Sequence, residues 1–208
     1  MRIYKNEKIS LLLLLLCVTL SFMMVFVSEG FNAAHTVREE SLRLHVLADT
    51  DSEADQAVKL KVRDAILEET GDMFISCASA SEAVNRVLEK KEEIKEIAEN
   101  VLRENGFDYG AEVLVEEEYF GTRQYENVSL PAGNYTALRV VLGKGEGHNW
   151  WCVMFPPLCL PAVTERNEDS VYGVFGENGG DLVTGKSGYK VKFRIVEIVE
   201  SIIESIKS

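Results

Sequence analysis

A chain of 208 residues with 46% hydrophobic content is long enough to bury one sizeable core. Its formal net charge is −12, and beyond residue 30 the balance is 19 basic against 32 acidic side chains with no basic stripe. That balance repels phosphate backbones and argues against a nucleic-acid-binding role.

The first element is the run "ISLLLLLLCVTLSFMMVFV" over residues 9–27, free of charge and preceded by Arg2, Lys5 and Lys8. A basic flank followed by an apolar run is the pattern of an export segment. At about 1.5 Å per residue the run is also long enough to cross a bilayer as a helix. Residues 1–30 are therefore read as a signal peptide or a signal anchor. Small residues at Ser28–Gly30 and at Ala33–Ala34 offer cleavage positions without a clean match, so cleavage and retention both stay open. The positive flank places everything after it outside the cytoplasm, as a single exported domain over 38–208. Cys17 lies in the leader, while Cys77, Cys152 and Cys159 enter a space where disulfides persist, enough for one pair and a leftover.

Within the domain, "SLRLHVLA" (41–48) alternates Leu42, Leu44 and Val46 with Arg43 and His45, which predicts a strand. Ser52 with Asp55 resembles a helix-starting cap, and the apolar spacing of Val58, Val62, Ala65 and Ile66 predicts a helix closed by Gly71. A second cap, Ser79 with Glu82, opens one longer helix running to Leu102, with Asn105-Gly106 as its stop. "AEVLVEEEYF" (111–120), "NYTALRVVLG" (134–143) and "NWWCVMF" (149–155) predict strands, the last two joined by a glycine turn. Residues 162–189, acidic and glycine-rich, predict a long loop. Ile195, Ile198, Val199, Ile202, Ile203 and Ile206 line one face of a C-terminal helix over 190–207, expected to close the core. The fold class is α+β: a mostly antiparallel sheet with helices packed on one face, preceded by the N-terminal hydrophobic export segment.

The acids of "DTDSEAD" (49–55) space oxygens like the start of a calcium loop. Ala54 and Leu60 stand where its glycine and glutamate are needed, so capping is the simpler reading and no metal site is expected. Phosphate loops, GxSxG, HExxH and dense His/Cys clusters are absent, and no cofactor or small-molecule substrate is expected.

The unusual stretch is "GEGHNWWCVMFPPLC" (145–159). One reading makes Cys152 a nucleophile in an extracytoplasmic Cys–His hydrolase. His148, four residues away along a strand, is too far for contact unless the chain folds back, and Trp151 with Val153 would raise rather than lower a thiol pKa. A second reading pairs Cys152 with Cys159 across the bend set by Pro156-Pro157, a short ring whose closure removes roughly 2.5 kcal/mol of unfolded-state entropy. Two buried free thiols remain the plain alternative. Neighbouring Trp150 and Trp151 point to opposite faces of a strand. An exposed indole beside Phe155, Pro156, Pro157 and Leu158 would be a rigid apolar anchor for a protein partner, with Asn149 at its edge.

"ESLRLHVLADTDSEADQAVKLKVRDAIL" (40–67) and "PAGNYTALRVVLGKGEGHNWWCVMFPPLC" (131–159) resemble the stage II sporulation protein R family of endospore-forming bacteria. The resemblance runs from about residue 38 to the C-terminus, and the G-x-G-x-N-W-W-C-V-x-F-P-P-L-C run is its most specific part. It implies a secreted sporulation signal, made in the forespore and exported to the space between forespore and mother cell. There, members activate a membrane-embedded aspartic protease that processes pro-sigma-E. The resemblance thus implies a signalling protein rather than an enzyme, with that protease as partner and membrane contact through 9–27 if the leader is uncleaved.

Overall fold

A computed structural model describes residues 2–125, 128–158, 167–186 and 189–207. In chain order the elements are α1 (Arg2–Glu39), β1 (Leu42–Leu47), α2 (Glu53–Ile75), α3 (Ala80–Glu89), α4 (Lys91–Glu104), β2 (Ala111–Phe120), β3 (Arg123–Tyr125), β4 (Val128–Leu130), β5 (Gly133–Leu142), β6 (Asn149–Phe155), α5 (Asn167–Thr184) and α6 (Tyr189–Lys207). The class is α+β.

Four strands form one sheet in the order β2-β5-β1-β6, and β3 with β4 makes a separate hairpin. Two of the three pairings in the larger sheet are antiparallel, and β1 with β5 is parallel. A parallel pair needs a crossover between its strands, and the helices α2, α3 and α4 supply part of it.

All six residues of β1 are buried, which alternation alone does not predict. Leu42, Leu44 and Val46 enter the main core with Val62 and Ile66 of α2, Val87 of α3 and Ile94, Ala98 and Leu102 of α4. The opposite face is covered as well: Val37 of α1 and Val171, Phe175 and Val183 of α5 pack with Phe120, Leu130, Tyr135 and Val153. Helices therefore lie on both faces of the sheet, not on one. That second layer falls in the 162–189 stretch expected to be a long loop. Residues 167–184 are instead helical, bent at Gly176 (φ 68°). Two of the glycines that lower helix propensity there serve close packing: a Cβ on Gly179 would sit 2.8 Å from Cβ of Phe175, and one on Gly180 2.4 Å from the Tyr172 ring.

The helix starts follow the caps. Ser52 Oγ accepts from the Asp55 amide at 3.1 Å, and Ser79 Oγ accepts from the Glu82 amide at 3.3 Å. Glu82 in turn accepts from the Ala78 amide at 3.0 Å, closing the capping pair. The ends follow burial more than propensity. α2 runs through Gly71 to Ile75 because Phe74 is buried in the main core. The single long helix expected after Ser79 is broken at Lys90 (φ −99°, ψ 8°) into α3 and α4, and Ala83 and Val87 share the core with Ile94 and Ala98. The Asn105-Gly106 stop forms as expected, with Gly106 at φ 80° and the Phe107 amide donating back to the Leu102 carbonyl at 3.0 Å.

The N-terminal segment is one continuous helix past the expected boundary at residue 30. Residues 9–25 are exposed and apolar, whereas Gly30, Ala33, Ala34 and Val37 are buried against the domain. α6 is a core helix only in its first half: Lys192 and Val196 are buried, but Ile198, Ile202, Ile203 and Ile206 face solvent.

Candidate functional site

The stretch 143–158 begins as a turn clamped by the end of β1. The Lys144 amide donates to Asp49 Oδ1 (2.7 Å), the Glu146 amide to the Asp49 carbonyl (3.1 Å) and the Gly147 amide to the Ala48 carbonyl (2.9 Å). The His148 amide reaches Asp51 Oδ1 at 2.6 Å, and His148 Nδ1 contacts the same carboxylate. Buried Lys59 of α2 donates from Nζ to the His148 carbonyl at 2.8 Å. These contacts explain the glycines: a Cβ on Gly147 would lie 2.2 Å from the Thr50 carbonyl oxygen, and one on Gly143 (φ 57°) 2.2 Å from Asp49 Oδ1.

The acids of the "DTDSEAD" run thus have separate tasks. Asp49 and Asp51 staple the β5–β6 turn. Asp55, in the first turn of α2, gives its amide to the Ser52 cap and accepts with its carboxylate from Tyr109 Oη at 2.6 Å and Ser52 Oγ at 2.7 Å, as well as contacting Thr50. Hydrogen bonds from the His148 side chain and backbone hold the Asp51 carboxyl below its ordinary range, and those from Thr50, Tyr109 and Ser52 do the same for Asp55. Among the described residues no group of three or more His, Cys, Asp or Glu side chains is gathered as metal ligands.

β6 then carries the two indoles to opposite faces, as the alternation requires. Trp150 is 37% exposed, with the Arg63 guanidinium of α2 stacked 4.2 Å from its ring centroid. Trp151 is half-buried, held between the His45 ring (5.6 Å between centroids) and the Arg123 guanidinium (4.2 Å). Asn149 is exposed and Pro157 half-buried, but Phe155, Pro156 and Leu158 are buried. Of the apolar anchor expected to comprise Trp150 or Trp151 with Phe155, Pro156, Pro157 and Leu158, the surface keeps Trp150 exposed beside Asn149, with Trp151 and Pro157 half-buried. The proline bend turns Phe155 and Leu158 inward, with the Leu158 amide donating to the Val153 carbonyl at 3.3 Å.

Cys152 lies in the main core and is disulfide-bonded, while Cys17 and Cys77 are free thiols. Cys159 falls outside the described residues. Leu44 is the register partner of Cys152, so Cys152 shares its face of the sheet, and His45 lies on the other. His148, bound to Asp51 at the surface, does not fold back on Cys152. Neither imidazole is placed to activate that sulfur.

Sequence reasoning did not find the polar cluster beneath Trp151. His45 Nδ1 pairs with Glu118 Oε2 at 2.6 Å. Fully buried Arg43 donates from Nε to the Cys152 carbonyl (3.1 Å) and from Nη2 to Tyr125 Oη (2.7 Å), and lies over the rings of Phe120 (4.3 Å) and Tyr135 (4.9 Å). Burial pushes the Arg43 pKa down and the Tyr135 pKa up. The only sequence signal for this cluster was the polar half of the β1 alternation, which reads equally well as a wet face.

The fold and this site define an exported-type module: an α+β domain continuous with an apolar helix of membrane-crossing length, displaying a clamped turn and one exposed tryptophan at a sheet edge. The family described as Stage II sporulation protein R matches residues 38–165. The "Stage II sporulation protein R" of Bacillus subtilis (strain 168) is 32% identical over 190 residues, covering 82% of this chain and 85% of that protein. No solved structure matches. The chain belongs to the stage II sporulation protein R family, which places it in sporulation.

Proposed function

We propose that this protein is an exported sporulation signal that binds and activates a membrane-embedded aspartic protease of the mother cell, which then processes pro-sigma-E. It acts by binding and makes or breaks no bond itself. Three things support this reading: family membership, the N-terminal apolar helix, and a surface made rigid before contact. The observation that carries it is Trp150, a large aromatic left 37% exposed on an edge strand whose preceding turn is fixed by Asp49, Asp51 and Lys59. A rigid aromatic anchor loses little entropy on association, and such residues dominate binding energy at interfaces. Activation follows if the domain binds the protease's active arrangement more tightly than its inactive one.

The bond at Cys152 is assigned to Cys159, which would tie the proline bend to the core. Co-expression with the protease and pro-sigma-E in a non-sporulating host tests the function. Processing should occur with the exported chain and vanish with Trp150→Ala, while the variant remains folded and exported. Normal processing with Trp150→Ala would remove the tryptophan from the contact. Cys152→Ser and Cys159→Ser should be equally defective, whereas a loss confined to Cys152→Ser would point to a thiol nucleophile.

A further inference from the structure

Helix α1 crosses the expected boundary between leader and domain without a break, and its last turns belong to the folded body. Ala33 and Ala34 pack with Leu182 of α5 and Val196 of α6, and Val37 is fully buried against α5. Arg38 donates to Glu200 at 2.8 Å and to the Ala132 carbonyl at 3.0 Å. At Gly30 the approach is so close that a Cβ would lie 2.9 Å from Cβ of Lys192. A cut at Ala33–Ala34 would fall inside the core, and one at Ser28–Gly30 inside a helical turn that packs on α6.

The geometry of α5 and α6 sets how the domain sits relative to the apolar run of α1. α5 runs from Phe175, packed near Val37, down to Leu182, packed near Ala33 and Ala34. α6 returns upward, from Lys192 beside Gly30 to Glu200 beside Arg38. The C-terminal end of α5 and the N-terminal end of α6 therefore both lie on the side of the apolar run of α1. Tyr189 lies three residues, about 4.5 Å, below Lys192, which puts it level with Val27, the last residue of that run. The chemistry at this level is that of a headgroup layer. Residues 186–194 carry Lys186, Lys190, Lys192 and Arg194 and no acid of their own, in a domain that is otherwise strongly acidic. Lys186 pairs with Asp181 (3.4 Å) and Arg194 with Glu197 (2.8 Å), whereas exposed Lys190 has no ion pair among the described residues. Lys192 points back toward the run, pairing with Glu29 at 2.6 Å and lying 4.9 Å from the Phe26 ring and 4.1 Å from the Tyr189 ring. Tyrosine and lysine at the end of an apolar span are the usual interfacial anchors, and lysines there attract anionic lipid.

We propose that α1 is retained as a transmembrane anchor and that the facing ends of α5 and α6, through Lys186, Tyr189 and Lys190, rest in the headgroups of the bilayer α1 crosses. The domain is then a ligand standing on its own membrane with fixed orientation, and the C-terminal end of α6 points away from the lipid. The inference rests on residues 9–27 crossing a membrane and not on any receptor, so its test leaves pro-sigma-E processing aside.

The full chain is produced in a bacterial membrane, extracted, weighed intact and reconstituted into vesicles of phosphatidylglycerol and phosphatidylcholine. Spin labels are placed at Lys190→Cys or Ile206→Cys in a Cys17→Ser, Cys77→Ser background. The expected results are a membrane form that resists alkaline carbonate and keeps residues 9–27, a label at 190 shielded from a water-soluble relaxation agent and reached by a lipid-soluble one, and a label at 206 with the opposite behaviour. A species cut before Gly30 that washes off in carbonate overturns the anchor. An intact chain whose label at 190 is as open to water as that at 206 overturns the seating.

Discussion

Trp150 and Trp151 are neighbours with opposite tasks, and substitution separates them. Trp150 has a face to solvent and one guanidinium behind it, so Trp150→Ala should cost no more than about 1–2 kcal/mol of folding stability. Trp151 fills the space between His45 and Arg123 above the His45–Glu118 contact, so Trp151→Ala should cost about 2–4 kcal/mol. Urea denaturation of the two variants measures the difference, and an equal loss would mean that both indoles are structural. Asp51 carries the residue-scale pH dependence. Its folded pKa is depressed by His148, and that of Asp55 by Thr50, Tyr109 and Ser52, so both stabilise fully above the ordinary carboxylate value of 3.8. That contribution is lost as pH falls through their lower folded values. Amide protection at His148, which donates to Asp51, should fall as pH drops below 3.8, and Asp51→Asn should lower it already at neutral pH.

The clamped turn between β5 and β6 shows at the element scale why glycines stand at fixed places. Thr50 leaves no room for a side chain at position 147, and Asp49 none at position 143. Gly147→Ala should destabilise by about 1–3 kcal/mol, since the obstructing atom is backbone; it should also shift the Trp150 environment seen by fluorescence, and an unchanged spectrum and midpoint would show that the clamp is slack. Local signals of this kind were legible in the sequence: the caps at Ser52 and Ser79, the Asn105-Gly106 stop, the strands and the opposed indoles all follow from spacing. What was not legible depends on which faces meet. The reach of α2 past Gly71 is decided by a pocket for Phe74, and the helical state of 167–184 by Val37 and Tyr135 needing a cover. The burial of Phe155, Pro156 and Leu158 follows from where the proline bend points. The acids at 49 and 51 were visible, but their partners stand more than ninety residues away and become neighbours only once β1 lies between β5 and β6.

On the scale of the whole molecule, leader and domain are one mechanical unit. The second face of the sheet is covered by α5 and the end of α1, and α6 is held to the body chiefly through α1. Removing residues 1–27 leaves Gly30, Ala33, Ala34, Val37 and Arg38 in place; removing residues 1–40 takes them all and uncovers Leu182 and Val196. The loss of burial is on the order of 5 kcal/mol, comparable with the entire stability of a domain this size. A chain beginning at residue 28 should therefore unfold cooperatively with native near-ultraviolet dichroism. One beginning at residue 41 should keep much of its helical signal, since α2, α3 and α4 pack on the other face, yet lose the tertiary signal of the Trp151 stack and bind hydrophobic dye. Equal, cooperative melting of the two would mean that α1 only leans on a domain complete without it, and a domain of that kind could be released from its leader without consequence for its fold.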